Sequence, residues 1–466
     1  MNHQPAESDV RRAPRGPFAE EMASARGRRF AIWTALAAAL GIPFFLWAVF
    51  APGGAAPTPQ RAPAAPTVEL PSTPAAVTAE ALQGELEQLA EDLRTRFADA
   101  PQALHVAAVI HFDLLQPTEA EAAWRACLQA APNHLGALLG LGVLATERGE
   151  DEAAVERLRS ALALESAPPS VYHRLAVALT QLGRLEEARG VLGEGVEVYP
   201  TAPEIWLVLG QTQIQLERYA EAEASLRQAV ALAPALADAH YSLAAACARQ
   251  GKDDEAEAHR RRFRRLRGGG PPPGDDFETA HLNSLRRIAL SRYEEAAAVY
   301  SGLGDTAAAE ALLLRTVALF PELPVGYRPL GTLYRELGRT ADAQLVYRRL
   351  VEVEPDHLAH YVHLATTSAE LGDSETAETG YRTVLAARPD AAFAYAGLAR
   401  ICLEEGRLPE ARWLAEESLR WEPTAEGHLL LGEIHERSGD RAAALAARAE
   451  AQRLEVEPPA PAGNAP

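Results

Sequence analysis

Alanine returns every 34 residues through most of this chain, and that period dictates what it can fold into. Counting Pro101 as the first position of a unit, the twentieth position is Ala120, Ala154, Ala188, Ala222 and Ala256. After a 19-residue interruption it is Ala309, Ala343, Ala377 and Ala411, then Ala444 one residue early. The eighth position holds only Ala or Gly: Ala108, Gly142, Ala176, Gly210, Ala244, Ala297, Gly331, Ala365, Ala399 and Gly432. Two small residues twelve apart let two helices cross closely, because anything larger would hold their axes apart. A repeat of this length reads as an array of helix pairs, each burying its apolar face against its neighbours.

The punctuation agrees. Gly149, Gly183, Gly251, Gly304, Gly338, Gly372, Gly406 and Gly439 fall where each first helix should stop, the place for a left-handed residue. Pro132, Pro200, Pro234, Pro321, Pro355, Pro389 and Pro423 close the second helices, which proline cannot continue. The second unit departs from this, with Ser166 in place of the proline and Pro168 and Pro169 just beyond. Aromatic residues make up only 6% of the chain, and its bulk is good helix formers, so the body is expected to be all-α.

These residues resemble the tetratricopeptide repeat (TPR) family, whose units read W-x2-L-G-x2-Y, then A-x3-F, then P. The clearest matches are Trp206, Leu209, Gly210, Ala222, Leu226 and Pro234, and Tyr327, Leu330, Gly331, Tyr334, Ala343, Tyr347 and Pro355. The resemblance covers about residues 101–455. It implies a right-handed superhelical solenoid of about ten helix-turn-helix repeats that binds protein or peptide segments in a concave groove lined by the first helices. At the groove positions the first five repeats carry His105, Val109, Leu139, Val143, His173, Val177, Leu207, Gln211 and Tyr241, a mostly apolar and uncharged set. The family's carboxylate clamp is missing. The later repeats offer Arg328, Thr332, Arg335, Thr366 and Arg400, a polar and mildly basic lining.

Ahead of the repeats, residues 30–50 (FAIWTALAAALGIPFFLWAVF) carry no charge. As a helix they would span about 31 Å, matching a hydrocarbon core of about 30 Å. Arg26, Arg28 and Arg29 precede them, and the first ionisable residue afterwards is Arg61. The positive-inside rule then places residues 1–29 in the cytoplasm as a disordered tail and the repeats outside. The expected order continues with a Pro/Ala-rich linker over 51–77. Next come a capping helix and repeats one to five over 78–270, and an inter-block break with a leading helix over 271–289. Repeats six to ten over 290–456 and a disordered tail over 457–466 complete it. In the capping helix, Leu82, Leu86, Leu89, Leu93 and Phe97 form one apolar stripe, expected to cover the open end of the array.

A net charge of −19 argues against nucleic acid as a partner. Against that background the run His259–Arg267 concentrates Arg260, Arg261, Arg262, Arg264, Arg265 and Arg267, a patch for an anionic partner or lipid surface. Cys127, Cys247 and Cys402 lie over a hundred residues apart and read as buried small hydrophobes. His357, His360 and His363 are read as structural, since the inter-repeat turn of the first repeat also carries a histidine, His134, so no metal, cofactor or small-molecule substrate is expected. No Walker A loop, H-E-x-x-H, G-x-S-x-G or dinucleotide fingerprint is present. The expected function is a non-enzymatic scaffold at the extracytoplasmic face of a bacterial inner membrane. The alternative is an accessory subunit of an envelope enzyme complex, such as one for polysaccharide synthesis or export.

Overall fold

The computed structural model describes residues 67–165, 167–267 and 277–456, and these contain 21 helices and no strand. A first helix, α1 (Ala79–Arg96), precedes ten helix pairs. Five pairs come before the break: α2 (Pro101–Asp113) with α3 (Pro117–Ala130), α4 (Leu135–Glu147) with α5 (Asp151–Leu162), α6 (Pro169–Gln181) with α7 (Leu185–Val198), α8 (Pro203–Gln215) with α9 (Tyr219–Leu232), and α10 (Ala237–Arg249) with α11 (Asp253–Arg267). Five follow it: α12 (Phe277–Gly302) with α13 (Thr306–Leu319), α14 (Tyr327–Glu336) with α15 (Thr340–Val353), α16 (Leu358–Glu370) with α17 (Ser374–Ala387), α18 (Ala392–Glu404) with α19 (Leu408–Trp421), and α20 (Ala425–Arg437) with α21 (Arg441–Val456). They fall into two compact units, divided between Gly380 and Tyr381 within α17. The apolar stretch 30–50 lies outside the described residues. Among those described, no helix is long and apolar enough to cross a membrane.

The small residues do what their spacing demands. All ten alanines at the twentieth position are buried, none more than 4% exposed. A methyl group added at Gly142 would sit 2.7 Å from Leu158 Cγ on α5, and one at Gly331 would sit 2.9 Å from the Tyr347 ring on α15. The eighth position is therefore where the first helix of a pair accepts a large side chain from the second. Each of the seven closing prolines stands two residues past the end of its helix. Where Ser166 replaces proline, α5 stops at Leu162, a 12-residue helix where its counterparts α3, α7 and α9 have 14.

All eight glycines expected to end first helices have positive φ, between 69° and 85°. Two repeats lack that glycine, and there Leu115 and Glu217 take the same conformation at φ 59°. A side chain in the left-handed region costs roughly 1–2 kcal/mol. Glu217→Gly is accordingly expected to raise stability by about 0.5–1 kcal/mol, net of glycine's greater freedom when unfolded, read as a higher midpoint in urea.

The expected cap turns out to have two partners. The helix α1 packs on α2, as a cap would, and also on α12, which itself touches α2. Leu82, Leu86, Leu89 and Leu93 join one core with Ala103, Val106 and Ile110 of α2 and with Leu285, Ala289, Tyr293 and Tyr300 of α12. The second block thus begins against the N-terminal face of the first. Polar contacts reinforce the seam: Tyr293 donates its hydroxyl to Glu85 at 2.9 Å, and Arg315 grips the same carboxylate through Nε at 2.9 Å and Nη2 at 2.7 Å. Burial, then this carboxylate, raise the pKa of the Tyr293 phenol above its ordinary value. Arg96 pairs with Asp305, and Phe97 meets Tyr300 edge-on with centroids 5.4 Å apart. The helix α12 runs unbroken for 26 residues, so the expected leading helix and the first helix of repeat six are one element.

Residues 67–78 are strapped along the second block. Thr67 donates its N–H (2.6 Å) and its hydroxyl (3.0 Å) to the buried Asp342, which also accepts from Arg339 at 2.7 Å. The Ala75 N–H reaches the Ala318 carbonyl at 2.7 Å. Burial works to raise the Asp342 pKa, but the Arg339 and Thr67 hydrogen bonds outweigh it and hold the carboxyl below its ordinary value.

Candidate functional site

The first helices of repeats one to five line one side of their stack, and their groove positions share a common state. Val109, Leu139, Val143, Val177 and Leu207 are all half-buried, and none can form an ion pair. The second helices behave oppositely. Arg159 of α5 pairs with Glu187 of α7 at 2.6 Å, and Arg227 of α9 with Glu255 of α11 at 2.6 Å. One side of this block is a lattice of exposed ion pairs, each worth little alone but strongly solvated. On the other, the groove positions named above carry no charge.

Two polar groove positions, His105 and Gln211, already have partners. His105 is wedged against Gly136 of α4, and its Nδ1 accepts from Trp124 Nε1 at 3.2 Å. Burial first, then His134 and Arg292, lower its pKa to about 4, so it is a neutral floor residue. Burial likewise lowers the pKa of His173, with Arg174 adding to it. Gln211 donates to Ser242 Oγ at 3.2 Å. Tyr241 is the exception, 61% exposed, and leans on Phe263 of α11 with ring centroids 5.3 Å apart.

In the second block the expected basic lining is largely spent on internal partners. Arg328 pairs with Glu354, and Arg335 Nη1 lies 3.2 Å from His363 Nδ1. Thr332 and Thr366 turn their hydroxyls back to the carbonyls of Arg328 and Val362, at 3.2 and 2.8 Å. Arg400 is exposed on α18, in the C-terminal unit. Arg328, then His360, bring the Glu354 pKa down to about 2.

On α11, half of the arginine run is neutralised locally. Arg260 and Arg264 share Glu257 at 3.7 and 2.7 Å, and Arg267 is 3.9 Å from Asp238. Arg261, Arg262 and Arg265 make no ion pair among the described residues. All three cysteines are buried, and burial raises each thiol pKa, to about 11 at Cys127 and Cys402, which leaves them protonated at neutral pH.

The histidine trio separates. His363 stacks on Tyr347, centroids 4.9 Å apart, whereas His357 and His360 stack on one another at 4.4 Å. His360 Nε2 lies 2.7 Å from Glu354 Oε2. Sequence periodicity did not bring Glu354 into this group, although it stands six residues before His360, just ahead of the turn proline.

A family model described as "Tetratricopeptide repeat" matches residues 105–171, 207–271, 328–379 and 364–420. A second model of the same description matches residues 169–212. Tetratricopeptide repeat protein 7B of Homo sapiens is 32% identical over 105 residues, which are 22% of this chain and 12% of the human protein. The chain therefore spans a small part of that relative's length. Among solved structures, MamA (residues 41 to the end) from Desulfovibrio magneticus RS-1 is 18% identical, with a TM-score of 0.34 over 37% of this chain and 98% of MamA. YrrB, described as a TPR protein with an unusual peptide-binding site, is 17% identical, with a TM-score of 0.33 over 41% of this chain and 94% of its own.

Proposed function

Because the chain belongs to the tetratricopeptide repeat family, we propose that it is a non-enzymatic scaffold that holds an apolar or amphipathic segment of a client protein in the crevice of its first five repeats. The observation that carries this reading is the contrast between the two sides of the first block. Half-buried aliphatic side chains at Val109, Leu139, Val143, Val177 and Leu207 lie along one side, and ion pairs lace the other. A contiguous apolar surface rimmed by polar residues is a site for a segment of matching character, such as the apolar face of a helix. The second block is less suited, since Arg328 and Arg335 already face internal partners.

The proposal places the repeats outside the cytoplasm of a bacterium, held by residues 30–50 in the inner membrane. Support comes from the uncharged 21-residue run and the arginines on its N-terminal side alone. A reporter enzyme fused after residue 60 should be active only outside the cytoplasm, and activity inside would reject this orientation. For the crevice, photoreactive residues at positions 143 and 332 of the membrane-inserted chain are the test. Client crosslinks at 143 and none at 332 support the reading; capture at 332 alone, or at neither, rejects it.

A further inference from the structure

The turn between α15 and α16 carries a group of side chains that a client-binding crevice does not need. The third residue of the first helix is small or aliphatic in repeats one to five: Ala103, Ala137, Val171, Ile205 and Ala239. In repeat eight it is His360, a polar ring only 4% exposed. A bulky polar group kept at an aliphatic position calls for a polar partner, and Glu354 and His357 converge on it. One donor atom from each of Glu354, His357 and His360 lies within 4.8 Å of the other two.

We propose that Glu354, His357 and His360 bind a divalent transition-metal ion of the zinc class. Two imidazoles and a carboxylate, at about 2.0–2.2 Å from the ion, form a common three-ligand set that leaves a position for water. Such ligands stand a little over 3 Å apart around a tetrahedral ion, so the side chains must rotate to close the triangle from separations of up to 4.8 Å. The His357 and His360 rings stack with 19° between their planes, so binding requires them to splay until both in-plane lone pairs meet at one ion. His357, exposed at the start of α16, leaves the site open to solvent, while His360 anchors it from below. Nitrogen donors favour zinc, nickel or copper over magnesium or calcium.

Arg328 gives the proposal a distinctive sign. Its guanidinium sits on the Glu354 carboxylate that the ion needs, so the two cations compete. Calorimetric titration of the full-length, tag-free chain with zinc chloride should show one saturable site per chain. His357→Ala and Glu354→Gln should each weaken that site by about 100-fold, since loss of a ligand costs at least as much as loss of its supporting partner. Arg328→Ala should bind zinc more tightly than the wild type. Thermal melts without metal check that the exposed His357→Ala variant remains folded. The site is refuted if the wild type shows no saturable binding, if His357→Ala binds as well as the wild type, or if Arg328→Ala weakens binding.

Discussion

Leu86→Asp is expected to destabilise the larger unit by at least about 4 kcal/mol, from a lost leucine contact and a carboxylate buried without a partner. Leu86 is wholly buried in a core shared by α1, α2 and α12. The distribution of the damage matters more than its size. In a repeat array each unit answers mainly to its neighbours, so a defect spreads along contacts. If α1 only capped the first block, α2 would lose amide hydrogen-exchange protection and α12, reached only through its contacts with α2, would keep most of it. Since α1 packs on both, α12 should lose protection too, with Leu285, Ala289 and Tyr293 stripped of one wall of their core. Unchanged exchange in α12 would show that the seam contributes nothing to the second block.

The other large effect is at a helix crossing. Gly142→Leu is expected to cost about 3 kcal/mol, because the new side chain must enter space already filled by Leu158. A double-mutant cycle makes the cause specific. Gly142→Ala should destabilise the wild type by about 1 kcal/mol through overlap with Leu158 Cγ. In a Leu158→Ala background the overlap is gone, and the same change should stabilise by about 1 kcal/mol through helix propensity. Urea melts of the four proteins read the sign directly. The same sign in both backgrounds would mean that these two side chains do not oppose each other.

Much of this fold was legible because its determinants are local. Position eight, position twenty, the glycine after the first helix and the proline after the second all act within one repeat or on the next, so spacing reveals them. The seam between α1 and α12 is different. It joins residues about two hundred apart, between a helix that occurs once and a first helix whose N-terminal extension no other repeat has, so no period announces it. A weaker signal was present in Leu282, Leu285, Ile288 and Ala289, an apolar stripe at helical spacing inside the stretch read as a break with a leading helix. That stripe shows a helix that buries one face, without showing against what. The groove followed the same division. Its positions came from the family resemblance, but the hydrogen bond from Trp124 to His105 and the capture of Arg328 by Glu354 depend on which side chains reach each other between helices. His360 was read as structural from the sequence, and its place among aliphatic counterparts takes on meaning only once Glu354 and His357 are seen beside it.

The strap at Thr67 determines how the molecule would carry a mechanical load. A pull on the chain upstream of Thr67 enters the protein at Asp342 and Arg339, then at the Ala75–Ala318 contact. Tension is thus shared with α13 and α15 before it reaches α1, and the first five repeats lie off that path. The helices proposed to hold a client would then be spared the strain that the moorings take.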